Sequence, residues 1–253
     1  APCPPTTPSS IDPKPVPHHP HAVFPRFIVI PFAFLIGATA LTAEVEDDLT
    51  LGLEVVSGYR SAYVARGFEL ADGTLDLQAE TEIALNNDLF LGLYAWHATE
   101  SNGNFSETSA GLDLTREFDP LQLTATLRYQ SYSGSLFQDG ILLGLETTYF
   151  LSDSWDLSLN SLYDFGAEAP YGSLELGWSQ PLSEDLFVSA ESGLSIVDSY
   201  YGRSGLNDYY GRISLTYNLN STISLSPFLG FSIPLEDHSS NTVYGGFWFA
   251  VSF

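Results

Sequence analysis

The chain has 253 residues, of which 31 are acidic and 8 basic, so its formal net charge is −23 at pH 7. This balance argues against a nucleic-acid partner, because binding phosphates needs clustered Lys and Arg. The single cysteine, Cys3, excludes a disulfide scaffold, and an aromatic content of 14% is too high for a disordered chain.

The amino-terminal residues differ from the rest of the chain. Residues 1–26 contain nine prolines and predict a segment that is either a disordered leader or an artefact of upstream translation. Residues 27–43 follow a basic residue, have a short apolar core and end in small residues, which is typical of a secretory signal peptide. We expect cleavage after Ala40 or Ala43, which leaves a cysteine-free barrel domain at 44–253.

Apolar and polar residues alternate with a period of two along the rest of the chain, and this pattern predicts β-strands rather than helices. Most of the predicted strands have the length of about 9–11 residues that a tilted strand needs to cross a bilayer. The twelve predicted strands lie near 49–56, 75–85, 89–98, 107–118, 121–132, 141–151, 155–165, 171–180, 186–197, 209–219, 223–233 and 242–253.

The predicted connections alternate between short turns and longer polar loops. The longer loops are expected around 66–73, 99–106, 133–140, 166–170, 198–208 and 235–241. Short turns at one end and longer loops at the other are typical of outer-membrane barrels. Alternation alone does not separate such a barrel from a soluble sandwich. The signal peptide, the strand number and the last strand favour an all-β fold, a transmembrane antiparallel up-and-down β-barrel of about 12 strands.

The last predicted strand carries four apolar residues on one face: Phe247, Phe249, Val251 and Phe253. Such a face is expected where a strand contacts lipid on one side and the lumen on the other. An aromatic terminal strand also resembles the end of bacterial outer-membrane barrels that is read during assembly. We therefore expect location in the bacterial outer membrane, contact with its lipid, and recognition of this strand by the barrel-assembly machinery.

A short motif near the start of the barrel carries a family resemblance. The segment Ser61-Ala-Tyr63-Val-Ala-Arg66-Gly67 resembles the Ser-x-Tyr-x-x-Arg-Gly marker of the TorF-type porin family, with Ala62 where the family usually has Asp. The resemblance implies an outer-membrane barrel with a pore, and it implies no particular substrate.

If the leucine-rich rows face lipid, the opposite rows bring charged side chains into the lumen. The predicted lumen-lining residues are Glu54, Arg60, Asp76, Glu80, Glu82, Asp113, Arg128, Glu146, Asp164, Glu175, Glu191 and Arg212. Carboxylates outnumber guanidinium groups in this set, and acidic linings favour cations. The sequence predicts a narrow porin-like channel for small cationic or neutral solutes. The alternative is a structural or adhesive barrel whose charges pair and fill the lumen.

An enzymatic function is the third alternative. Some twelve-strand barrels are lipid hydrolases that use a His and a Ser, and His97 and Ser101 invite that comparison. They are four residues apart instead of the two that the hydrolase pattern has, so we predict no catalytic site. Glu236, Asp237 and His238 are expected to form a solvated loop and not a metal site, and no cofactor is predicted. No loop is long enough for the constriction loop of trimeric porins, so we expect a monomer.

Overall fold

Twelve antiparallel strands close into a barrel in the computed structural model, which describes residues 51–235 and 240–253. The strands are β1 (Leu51–Ala65), β2 (Phe68–Asn86), β3 (Leu89–Glu100), β4 (Ser106–Phe118), β5 (Leu121–Ser133), β6 (Gly140–Ser152), β7 (Trp155–Asp164), β8 (Ala169–Pro181), β9 (Leu186–Tyr200), β10 (Arg203–Asn218), β11 (Ile223–Pro234) and β12 (Thr242–Ser252). The predicted fold class is confirmed. No helix in the described part of the chain is long and apolar enough to cross a membrane.

The first and last strands close the ring. β1 pairs with β12 from Glu54 opposite Ser252 to Arg60 opposite Gly246. Each strand from β2 to β11 pairs with the strand before it and the strand after it in the sequence. Phe253 also contributes to closure, because its backbone N–H donates to the carbonyl of Leu53 at 2.8 Å. We call the end of the barrel where β1 begins and β12 ends the turn end, and the opposite one the loop end.

Apolar side chains cover the outside of the barrel. Large apolar residues are exposed along nearly every strand, including Leu159 on β7 and Phe247 and Phe249 on β12. The side chains that are fully buried include charged and polar ones such as Glu107 and Asn207. This arrangement is the reverse of a soluble protein, and it is the arrangement of a barrel that faces lipid outside and a polar lumen inside.

Two of the predicted long loops are wrong. Residues 68–73 continue β2, and β9 and β10 extend over most of 198–208, so the connections shrink to Arg66-Gly67 and Tyr201-Gly202. All four turn residues have positive φ, as in the primed two-residue turns whose twist matches that of the flanking strands. The polar and glycine residues of these segments indicated loops, but here they belong to longer hairpins.

The predictions for the amino terminus lie outside the described residues. These are the leader at 1–26, the signal peptide at 27–43 and both cleavage sites. Glu236, Asp237 and His238 also lie outside the described residues. Among the residues that are described, no group of three or more His, Cys, Asp and Glu is placed to hold a metal ion.

We predict that an arginine on the outer face at mid-strand destabilises the barrel. Leu159 is 56% exposed near the middle of β7, and Leu159→Arg should lower the free energy of unfolding by about 2–4 kcal/mol, because it places a charge in hydrocarbon. The matched control is Leu182→Arg, since Leu182 is 57% exposed but lies in the turn between β8 and β9. Urea unfolding in lipid vesicles measures both, and an equal effect of the two variants would contradict the lipid-facing assignment.

Candidate functional site

An acidic cavity of about 640 Å³ occupies the turn end of the lumen. Glu54 of β1, Glu80 and Glu82 of β2 and Asp113 of β4 line it, together with Arg128 of β5. Four carboxylates face one guanidinium group in this lining, so it carries an excess of three negative charges. These five residues belong to the set that the sequence assigned to the lumen.

The other predicted lining residues also lie on the inner wall. Glu175, Glu191 and Arg212 line a cavity of about 200 Å³, and Glu146 lines another of about 230 Å³ that Arg128 also borders. Arg60, Asp76 and Asp164 are engaged in ion pairs inside the barrel.

The wall that β9, β10 and β11 form at the turn end is neutral. Its hydroxyl groups pair across the strands, Ser189 with Ser214 and Thr216 with Ser226, both at 2.9 Å. The lumen therefore has a carboxylate-rich side, formed by β1 to β4, and a hydroxyl-rich side.

Each inward-facing arginine of the predicted set pairs with a carboxylate and also lies against an aromatic ring. Arg60 makes two hydrogen bonds to Asp76, at 2.7 and 2.9 Å, and its guanidinium carbon is 4.5 Å from the centroid of the Tyr63 ring. The nitrogen–oxygen distance is 3.2 Å for Arg128–Asp113 and 3.3 Å for Arg212–Glu191. The rings beside these two arginines are those of Tyr94 and Phe228. The positive charges are thus neutralised locally, which leaves the remaining carboxylates as the net charge of the lumen.

Three chain segments meet across the loop end of the lumen. They are the β1–β2 turn, the β5–β6 loop and the β9–β10 turn. The three hairpins begin at β1, β5 and β9, so they are evenly spaced around the ring. Their side chains pack into a cluster of Phe68, Phe137, Tyr200 and Tyr201 around Arg66, which we call the cap.

The cap is tightly packed. Phe137 stacks on Tyr201 with ring centroids 4.6 Å apart, and Phe68 meets Phe137 edge to face at 5.4 Å. Tyr200 is fully buried and Phe137 is 3% exposed. Burial raises the pKa of the Tyr201 hydroxyl above its ordinary value, so this group stays protonated at neutral pH, and it accepts a hydrogen bond from the backbone N–H of Gln138 at 2.8 Å. The cap lies at the loop end of the lumen, where residues of three hairpins meet.

Arg66 joins the β1–β2 turn to the far wall of the barrel. Its Nη1 donates to Asp164 Oδ2 at 3.0 Å and also to the hydroxyl of Tyr200, and its Nη2 donates to Gln130 Oε1 at 2.8 Å. Those partners belong to β7, β9 and β5, none of which is adjacent to β1 or β2.

The backbone of the same turn is held by β10. Asn207 Nδ2 donates to the carbonyl of Arg66 at 2.8 Å, and Arg203 Nη1 donates to the carbonyl of Gly67 at 2.9 Å. Gly67 has φ = 78°, and a Cβ atom there would lie 2.6 Å from Asn207 Nδ2. The turn therefore requires glycine for both its conformation and its close approach to β10.

Glu107 lies just below the cap and is 1% exposed. It accepts hydrogen bonds from the Tyr63 hydroxyl at 2.6 Å and from Gln130 Nε2 at 3.0 Å. The predicted set of lumen-lining residues did not include Glu107, or Arg66 and Asn207 in the two segments that were predicted to be loops. The signal that could have found the site is the Ser-x-Tyr-x-x-Arg-Gly motif, because Tyr63, Arg66 and Gly67 all make contacts with or beneath the cap.

The structure does not bring His97 and Ser101 into a catalytic arrangement. His97 is exposed on the outer face, and its Nδ1 lies 2.8 Å from Thr108 Oγ1. Ser101 lies in the connection between β3 and β4, and its backbone N–H donates to the carbonyl of Gly73.

Comparison with solved structures identifies the fold. The KdgM porin aligns over 80% of this chain and 99% of its own, with a TM-score of 0.53 and 12% identity. An outer-membrane channel of the COG4313 group from Pseudomonas putida F1 aligns over 83% and 97%, with a TM-score of 0.51 and 10% identity. The chain has the fold of a porin-like outer-membrane barrel. LpxR from Salmonella typhimurium, an enzyme, aligns equally well over 79% and 99%, with a TM-score of 0.53 and 9% identity. No known family model and no curated protein sequence matches the chain.

We predict that removing the charge of Asp164 destabilises the barrel. Asp164→Asn leaves Arg66 buried without an anionic partner and should cost about 3 kcal/mol of unfolding free energy. The double variant Arg66→Met/Asp164→Asn should recover most of this loss, because it removes the unpaired charge. The control is Asp198→Asn, since Asp198 is exposed and should change stability by about 0.5 kcal/mol or less. Denaturant unfolding in detergent gives the unfolding free energies of the original protein and the three variants. A double variant as unstable as Asp164→Asn would show that the unpaired charge of Arg66 is not what destabilises the single variant.

Proposed function

We propose that this protein is an outer-membrane channel that admits small cations and neutral solutes through an acidic lumen and is closed at its loop end by the cap. The observation that carries this proposal is the lining of the turn-end cavity, where Glu54, Glu80, Glu82 and Asp113 face Arg128 alone. Confined carboxylates create a negative potential that attracts cations and repels anions.

The continuity of the cavities below the cap supports passage. The cavity at the turn end adjoins a second one of about 590 Å³, and Glu54, Gln78, Tyr94 and Arg128 line both. A solute that enters from the turn end therefore meets space up to the level of Trp96 and Glu107, directly below the cap. Cavities of this size suit small molecules and not polymers.

The cap supports a second candidate function, a structural barrel with a permanently filled loop end. The aromatic packing and the buried ion pair of Arg66 with Asp164 favour this alternative. The difference between the two candidates is whether the cap moves. In the channel, the β1–β2 turn leaves the far wall; in the structural barrel it never does.

Family, location and partners belong to the same proposal. The porin-like fold supports membership of a porin family, and the position of the Ser-x-Tyr-x-x-Arg-Gly motif at the cap gives that motif a function. This fold and the outward-facing Phe247, Phe249 and Phe253 suit a protein of the bacterial outer membrane. There it would contact lipid and the barrel-assembly machinery. We propose a monomeric protein without a cofactor or enzymatic activity.

The first test opens the cap. Phe68→Ala/Phe137→Ala removes two of its rings, and we expect a clear increase in single-channel conductance over the original protein in planar bilayers. The matched control is Phe118→Ala/Phe165→Ala, because both phenylalanines are exposed and lie outside the cap. A folded cap variant without conductance would favour the structural barrel.

The second test concerns charge selectivity. In a salt gradient, the cap variant should give a reversal potential of cation sign. Adding Glu54→Gln, Glu80→Gln and Glu82→Gln should move this potential toward zero, because three carboxylates leave the lining. The control adds Asp153→Asn, Glu184→Gln and Asp185→Asn, three exposed carboxylates in turns. A preference for anions, or an equal shift in the control, would contradict the acidic-lumen proposal.

A further inference from the structure

The surroundings of Arg66 have the composition of a binding site for a guanidinium group. Asp164 and Gln130 accept hydrogen bonds from two different nitrogens of the fork, at 3.0 and 2.8 Å. The guanidinium carbon also lies 5.7 Å from the centroid of the Phe137 ring and 5.8 Å from that of Tyr200. A carboxylate, an amide oxygen and aromatic rings around a planar fork are the partners that distinguish guanidinium from ammonium.

The acceptors of this site are held in place by groups other than Arg66. The Tyr200 hydroxyl donates to Asp164 Oδ2 at 2.8 Å, and the backbone N–H groups of Gly166 and Ala167 donate to Asp164 Oδ1 at 2.8 and 3.2 Å. The side-chain amide of Gln130 is fixed by Glu107 at 3.0 Å. The far wall therefore presents a site that stays organised when the β1–β2 turn leaves it.

Arg66 reaches this site from a separate part of the barrel. It projects from the β1–β2 turn, whereas the site belongs to β5, β7, β9 and the β5–β6 loop. Asp164 is buried and Arg66 is largely so, with side-chain exposures of 6% and 13%. The arrangement is that of a ligand tethered to one wall and bound to another.

The space next to the site is also within reach of a small molecule. Arg66 borders the cavity of about 230 Å³, which Arg128, Glu146 and Asn160 also line. Arg128 borders the cavity at the turn end as well. A small molecule that enters from the turn end therefore has space near the site.

We propose that Asp164, Gln130, Tyr200 and Phe137 form a binding site for small guanidinium compounds, which Arg66 occupies as a tethered ligand. A free guanidinium compound that takes the place of Arg66 releases the β1–β2 turn from the far wall and opens the cap. The binding site stands by itself, and only the opening step rests on the proposed channel function.

The test uses Arg66→Ala, which empties the site, with methylguanidinium as the probe and methylammonium as the reference cation. We expect methylguanidinium to block the current of Arg66→Ala at a concentration about tenfold lower than methylammonium, the ratio that one charge-assisted hydrogen bond supplies. Asp164→Asn in the Arg66→Ala background should abolish this difference. In the original protein, whose cap is closed at the start, methylguanidinium should instead raise the current, and it should do so only at a higher concentration, because the tethered Arg66 competes at high effective concentration.

The control is Arg116→Ala, because Arg116 is exposed on the outside against Phe118 and its removal should leave the original response unchanged. Equal block of Arg66→Ala by both cations would overturn the guanidinium site and leave the channel proposal intact. Thermal unfolding in detergent provides a readout without current. If no variant conducts, but methylguanidinium raises the Tm of Arg66→Ala and not of the double variant, the site stands and the channel proposal fails.

Discussion

The closed hydrogen-bond ladder between β1 and β12 is the constraint on which the rest of this structure depends. Backbone N–H and C=O groups in hydrocarbon must be paired within the protein, and a closed barrel pairs them without leaving an edge. Closure also decides where every side chain goes, because alternate residues of each strand face opposite sides. Once lipid requires leucine and phenylalanine outside, most of the charged and polar residues of the strands face a shared interior. The carboxylates that line the turn-end cavity thus follow from the fold as well as from the composition.

Charges that share a narrow interior need partners, and this need organises the lumen. Arg60, Arg66, Arg128 and Arg212 each contact a carboxylate and an aromatic ring. Arg66 differs from the other three in one respect. Its carboxylate belongs to a distant strand, so the same interaction that neutralises the charge also holds the β1–β2 turn across the lumen. A single ion pair therefore connects the electrostatics of the interior with the position of the β1–β2 turn at the loop end.

The sequence was sufficient for features that depend on local pattern. The spacing of Phe247, Phe249 and Phe253 at alternate positions predicted which side chains of β12 face outward. The same alternation along the chain predicted the fold class and the number of strands. It was insufficient at 66–73 and 198–208, where glycine and polar residues indicate loops. Those residues lie in longer hairpins because their partners are distant: the tie between Arg203 and Gly67 spans 136 positions, and that between Asn207 and Arg66 spans 141. Contacts of this kind leave no periodic signal, so the cap could not be derived from the pattern.

The central claim is that the β1–β2 turn closes an otherwise passable lumen by binding the far wall. The most direct measurement is the single-channel conductance of the Arg66→Met/Asp164→Asn variant, which removes the tie between the β1–β2 turn and β7 without leaving a charge unpaired. The account predicts a clear increase over the original protein, because the turn loses the ion pair that holds it against the far wall. A folded variant that conducts no better than the original protein would contradict it.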